Sequence, residues 1–155
     1  ISIHDALTGL YNRFYADAEI DRLATSRKYP LSVIMVDLDG LKDVNDQDGH
    51  SAGDRYIKSA ATVLKQTFRP EDMIARIGGD EFLIILPGVN EDVCEQSVAR
   101  LKTNLEAANA CERGRPVLLS VGAATAHVGE ELKDCIVLSD QRMYQEKASK
   151  KAHPS

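Results

Sequence analysis

The stretch Met73-Ile74-Ala75-Arg76-Ile77-Gly78-Gly79-Asp80-Glu81-Phe82-Leu83-Ile84-Ile85-Leu86-Pro87 sets two apolar, β-prone runs, 73–77 and 82–86, on either side of Gly78-Gly79. A Gly-Gly pair between such runs signals a tight β-hairpin, because the favoured two-residue turn needs φ > 0 at both central positions. Asp80 and Glu81 follow the bend directly. Strand side chains alternate, so the two carboxylates are expected on opposite faces of the ribbon, with one facing a site. Acids beside a turn commonly just sit in water, so the hairpin alone fixes no function.

Working outward, residues 31–38 are apolar and rich in β-branched side chains apart from Ser32 and Asp37, the pattern of a central strand covered on both faces. Residues 13–28 carry no helix breaker and end before Pro30, which predicts an entry helix. Ile57, Ala60, Ala61, Leu64 and Phe68 fall on one helical face that Pro70 ends, and Cys94, Ser97, Val98, Leu101 and Leu105 repeat the spacing beyond Pro87-Gly88. Residues 117–126 read as a second buried strand in which Gly122 suggests close backbone approach. Leu132, Cys135, Ile136, Ser139 and Met143 then give a last helical face leading to a basic tail. The order helix, strand, helix, hairpin, helix, strand, helix excludes an all-parallel sheet, since a hairpin forces an antiparallel pair; a mixed α/β (α+β) class follows.

The chain has 155 residues, the size of one domain spanning 1–155. A net charge of −5 argues against nucleic-acid binding and membrane-surface contact, both of which need a basic face. Three widely spaced cysteines without a Cys-x-x-Cys pair, and no apolar run near the ~20 residues of a membrane span, fit a cytoplasmic setting. The start at Ile1, with no signal-type segment, suggests a piece of a longer protein. The acidic run after Asp37 could pass for a calcium loop, but Asp43-x-Asn45-x-Gln47 lacks the glycine at position six and the glutamate at position twelve.

Gly78-Gly79-Asp80-Glu81-Phe82 resembles the signature of the GGDEF family, the diguanylate cyclases. The resemblance covers nearly the whole chain. Asp5-Ala6-Leu7-Thr8-Gly9-Leu10-Tyr11-Asn12-Arg13 is similar to the family's N-terminal motif, which packs structurally onto the domain. Asp37-x-Asp39-x-x-Lys42-x-x-Asn45-Asp46-x-x-Gly49-His50-x-x-Gly53-Asp54 matches every fixed position of its central element, and Ser120-x-Gly122 a further one. The resemblance implies a palm-like nucleotidyl cyclase fold, a central antiparallel-rich sheet surrounded by helices with the signature on the hairpin turn.

It also implies the chemistry: two GTP molecules, one on each subunit of a transient homodimer, become cyclic di-GMP and two pyrophosphates. Asp37, Asp80 and Glu81 are then catalytic, and Asp37, Asp80 and the backbone oxygen of Leu38 hold Mg2+, or Mn2+ as an alternative. Magnesium suits such oxygen ligands, and a two-metal arrangement would serve both the attacking and the departing oxygens. Gly40, Leu41, Lys42, Lys147 and Lys151 bind phosphates, Gly78 and Gly79 contact the substrate, and Asn45 and Asp54 read guanine. His50 is taken as structural. The family's Gly-Arg-Asn tail becomes Lys150-Lys151-Ala152 here. Lysine keeps the charge of arginine and loses its bidentate fork. Lys147 to Lys151 can also be read as a solvated helix end that complements the dipole.

Arg69-Pro70-Glu71-Asp72 has the form Arg-x-x-Asp, too short to carry weight alone. Its place upstream of Gly78 resembles the family's inhibitory site for cyclic di-GMP, to which Arg100 would contribute. The resemblance further implies a covalently linked upstream sensory domain. Two rivals stay open: a catalytically silent domain that binds GTP or cyclic di-GMP and regulates a partner, and a metal-binding interaction domain. Formation of pyrophosphate and a cyclic product from GTP and Mg2+ separates all three.

Overall fold

A computed structural model of the chain describes residues 1–112 and 114–152. At its centre is strand β1 (Leu31–Leu38), buried along its whole length. Strands β3 (Glu81–Pro87) and β4 (Leu119–Ala126) flank it, and β2 (Met73–Arg76) lies outside β3, giving the order β2-β3-β1-β4. The pairings among these four strands are all antiparallel. Among the described residues five helices surround the sheet: α1 (Arg13–Ala24), α2 (Leu41–Asp48), α3 (His50–Thr67), α4 (Glu91–Cys111) and α5 (Leu132–Ala152). The mixed antiparallel-sheet architecture expected from the sequence is the one found, and among the described residues no helix is long and apolar enough to cross a membrane.

Because strand side chains alternate, the sheet serves two cores. Ile34, Val36 and Leu38 join Phe82, Ile84 and Leu86 beneath α3 and α4, whose Ile57, Leu64, Cys94 and Leu101 close that face. Val33 and Met35 join Leu83 and Ile85 on the other face, under Leu23 of α1 and Leu132, Cys135 and Met143 of α5. Phe82 has no solvent exposure, and its truncation to alanine would cost about 3–5 kcal/mol. The Asp5–Arg13 motif packs structurally, as expected: Tyr11 exchanges backbone bonds with Ile74 and Arg76 at 3.2 and 2.9 Å, covering the free edge of β2. Asp5 accepts from Thr8 and from the Arg76 guanidinium.

Several local expectations are corrected. Helix α1 stops at Ala24 rather than near Lys28, because Ser26 directs both its N–H and its hydroxyl to the Leu23 carbonyl. Two helices, not one, follow β1; Gly49, at φ 89°, separates α2 from α3. β4 begins at Leu119 rather than Val117, whose N–H and C=O are taken by the Asn109 side-chain amide at 2.9 Å each. The hairpin is present but its turn is not the two-glycine type: neither Gly78 nor Gly79 has positive φ. The last β2–β3 pair is Arg76 with Phe82, and a longer connection follows. Ile77 and Gly78 N–H groups both turn toward the Glu81 carbonyl, and the Arg76 guanidinium donates to the Gly79 carbonyl at 2.9 Å.

Candidate functional site

Asp37 is the penultimate residue of β1, directly opposite Glu81 on β3 and Ser120 on β4. The Leu38 N–H donates to the Asp80 carbonyl at 2.7 Å, tying the hairpin corner to the strand end. One carboxylate oxygen from each of Asp37, Asp80 and Glu81 lies within 4.8 Å of the others. The expectation that Asp80 and Glu81 face opposite ways is therefore corrected. Asp80 precedes the first residue of β3, so the strand alternation does not govern it.

Asp37 is buried, with 4% exposure, and its carboxylate accepts from the Lys147 ammonium. Burial still holds its pKa above the usual carboxylate range against the pull of Lys147, helped by the negative charge of Asp80. Glu81 is also raised, by burial and then by the charges of Asp140, Asp37 and Asp80. Lys147 is buried enough to disfavour its charge, yet its bond to Asp37 keeps its pKa raised. Acids held this close cost free energy unless a cation joins them. The ligand set is all oxygen, as hard divalent cations require, so the residues present fit such an ion. Leu38, the expected carbonyl ligand, closes β1 beside the cluster.

The basic tail divides. Lys147 reaches Asp37, Lys150 reaches Asp39 at 3.0 Å, and Lys151 is exposed near the end of α5. Asp39 and Ser120 were quoted from the sequence as motif positions and Lys150 as a departure from the family tail, but none was given a role in the site. The three-residue spacing from Lys147 to Lys150 was the available signal, because it places both on neighbouring parts of one helical face. Tyr56 was also missed: its hydroxyl donates to the Asp39 carbonyl at 2.9 Å and accepts from the Leu118 N–H at 3.1 Å, bracing the strand ends from α3.

Gly40, at φ 75°, begins α2 without a side-chain cap, leaving the Leu41 and Lys42 end open, with Lys42 exposed. Asn45 on α2 lies against Gly53 on α3, next to the exposed Asp54. Asp54 is the fifth residue of α3 and Gly49 is the N-cap, so a capping role for Asp54 is excluded. His50 is the exposed first residue of that helix.

Arg69 and Asp72 meet just beyond the end of α3, and Arg100 of α4 reaches Thr67, the last residue of α3. The Arg69 N–H donates to the Asp72 carboxylate at 2.9 Å, and Arg100 Nε donates to the Thr67 carbonyl at 3.0 Å. Asp72 Oδ1 is buried without a hydrogen bond, 3.5 Å from Arg69 Nη2. A cavity of about 820 Å3 lies elsewhere, lined by α2, α3, the end of α4 and the approach to β4, and contains no member of the acidic cluster.

Residues 2–153 match the family described as "Diguanylate cyclase, GGDEF domain". The diguanylate cyclase DgcS of Shewanella oneidensis is 34% identical over 154 residues, covering 96% of this chain and 50% of that protein. The response regulator PleD of Caulobacter vibrioides is 32% identical over 157 residues, covering 96% and 35%. Among solved structures, the GGDEF domain of DgcB from Caulobacter crescentus in complex with c-di-GMP superposes with a TM-score of 0.86 at 26% identity, covering 95% of this chain and 88% of that one. The chain thus spans half or less of the length of these two relatives.

Proposed function

From the premise that the chain belongs to the GGDEF diguanylate cyclase family, we propose that it condenses two GTP molecules into cyclic di-GMP with release of two pyrophosphates. The observation that carries this reading is the convergence of Asp37, Asp80 and Glu81 at the end of β1 with Lys147 beside them. Asp37, Asp80 and the Leu38 carbonyl would hold Mg2+, or Mn2+. Such an ion, when bound, supplies positive charge to the attacking and departing oxygens.

The chain's own groups do the rest. Backbone N–H groups at the open start of α2, with Lys42, Lys147 and Lys151, bind the triphosphate; Gly78 and Gly79 let the hairpin backbone approach it. The Asp54 carboxylate accepts from the N–H groups of guanine, and Asn45 completes the base contact. In each half-reaction a ribose 3'-oxygen attacks the α-phosphorus of the nucleotide on the other subunit. The bond from that phosphorus to the bridging oxygen breaks, pyrophosphate leaves, and the 3'-hydroxyl proton passes to a base for which Glu81, with its raised pKa, is suited. The active form is then a homodimer.

Cyclic di-GMP is proposed to bind back at Arg69, Asp72 and Arg100. The half-exposed Arg69 guanidinium, held beside the buried Asp72 carboxylate at 3.5 Å, supports this, since a guanidinium fork suits phosphate. The test is incubation with GTP and Mg2+ over a range of protein concentrations. Pyrophosphate and a cyclic product should appear, with a rate that rises more steeply than linearly with protein. Nucleotide binding with no product favours the silent regulatory rival, and Mg2+ binding that ignores nucleotide favours the interaction domain.

A further inference from the structure

We propose that Lys150 is a positioning residue: it fixes the C-terminal end of α5 on the sheet and so holds Lys147 at the triphosphate end of the site. This deepens, and rests on, the cyclase reading above. Helix α5 is anchored upstream where it crosses Gly122 of β4. A Cβ there would lie 2.1 Å from both Ser139 O and Met143 N, so helix and strand meet backbone to backbone. The buried stripe of α5 is Leu132, Cys135, Ser139 and Met143, and it contains no residue beyond Met143. Lys147 lies past this last apolar anchor, and the remaining turns need another hold.

Lys150 provides it, two helical turns after Met143 on the same stripe. Its ammonium has three N–H donors, and three acceptors surround it: the Leu119 carbonyl, Asp39 Oδ2 at 3.0 Å and Ser120 Oγ at 3.3 Å. Ser120 in turn donates to the Asp39 carboxylate at 2.8 Å, so the acceptors form a connected set on the ends of β1 and β4. Lys147 is thereby bracketed by Gly122 on one side and the Lys150 cage on the other. Partly exposed ion pairs contribute little to global stability, so the effect belongs to local placement. The glycine that the family resemblance puts here could make none of these contacts.

Lys150→Met keeps the aliphatic stem and removes the three donors. The expected result is a rise of about tenfold in KM for GTP with kcat within about twofold, as when a phosphate-binding charge is displaced and the reacting groups are untouched. Affinity for a non-hydrolysable GTP analogue should fall by a similar factor, and amide hydrogen exchange over residues 147–152 should accelerate. Lys150→Arg, which keeps the Asp39 pair, should recover most of the loss. Ser120→Ala removes one acceptor and, as the milder variant, should give about a twofold to threefold rise in KM. Unchanged KM, analogue affinity and exchange in Lys150→Met overturn the proposal, as does a loss of thermal stability with KM unmoved. If the wild-type chain releases no pyrophosphate, the cyclase reading fails, while analogue affinity and exchange still decide the role of Lys150.

Discussion

The acidic rim and the turn after α3 are assembled by opposite means. The rim draws Asp37, Asp80, Glu81 and Lys147 from three separate parts of the chain and brings them together through strand register and one long helix. The turn takes Arg69 and Asp72 from four consecutive residues, closed on themselves by the Asp72 N–H donating to the Arg69 carbonyl at 3.0 Å and the Arg69 N–H returning to the Asp72 carboxylate. Only Arg100 comes from a distant element. A rim built on a buried sheet can keep like charges close together without collapsing. A local turn can be altered without disturbing the rest. Substitutions in the first should change chemistry, and in the second the response to product.

The largest expected effect is at the rim. Asp80→Ala removes a carboxylate from a connection whose backbone is held by Leu38, so the hairpin should survive. Pyrophosphate release should fall by about 10³-fold or more, the scale of removing a group that stabilises transition-state charge. Circular dichroism and the unfolding midpoint should barely move. Substantial turnover at saturating Mg2+ would remove Asp80 from the chemistry.

At the turn the expected effect is smaller and of another kind. Arg69→Ala should weaken cyclic di-GMP binding by about 10- to 100-fold, the range for losing charge-assisted bonds to phosphate. Isothermal titration of both forms decides it. Equal affinities would dissolve the contrast between a site for chemistry and a site for feedback.

The two regions also differed in how far the sequence disclosed them. Strand β1 was legible because its eight residues, apolar but for Ser32 and Asp37, suit a strand covered on both faces and are too few for an ordinary helix. The Gly-Gly bend then located its partner. Arg69-x-x-Asp72 was too short a pattern to carry weight alone and drew notice only through its place in the family resemblance. The conformation of the bend was not, because a side chain decides it: Arg76 grips the Gly79 carbonyl, and neither glycine needs a positive φ. The convergence of Asp80 with Glu81 was hidden for the same reason. Lys150 finds Asp39 across 111 positions of sequence, and Asn109 withholds Val117 from the sheet. Contacts of that kind follow from tertiary placement, which propensity and periodicity do not encode.

A third prediction probes the guanine end of the rim. A Cβ at Gly53 would fall 1.8 Å from Asn45 Oδ1, so Gly53→Ala must push the Asn45 side chain aside. Overpacking of this kind costs about 1–3 kcal/mol, offset in part by alanine's better helix propensity. Selectivity for GTP over ATP in competition should decline, because Asn45 no longer faces the base. Unchanged selectivity would mean that Asn45 has no part in reading it.

The smallest effect is electrostatic and confined to the rim. Burial and neighbouring charges raise Asp37 above its ordinary 3.8 and Glu81 above its ordinary 4.5. Between the ordinary and the raised values the folded chain binds more protons than the unfolded one. The stability contributed by these groups is therefore full below the ordinary values and is lost as pH rises through the raised ones. Lys147, raised by its bond to Asp37, stays charged throughout this window and adds no slope. A divalent cation needs the deprotonated carboxylates, so it binds best where the metal-free fold has lost this contribution. Mg2+ should consequently raise the unfolding midpoint more at pH 8 than at pH 5, by about 1–3 °C, with little effect near the ordinary carboxylate range. Glu81→Gln should raise the metal-free midpoint at pH 8, since it removes one of the repelling charges, and should shrink the Mg2+ effect. Arg69→Ala should leave both untouched if the rim and the turn are independent. Scanning fluorimetry of the three proteins at the two pH values, with and without Mg2+, reads all of this. A Mg2+ shift that is equal at pH 5 and pH 8 would show that the cluster does not bind the ion, and one that survives Glu81→Gln intact would show that the Glu81 charge has no part in binding it.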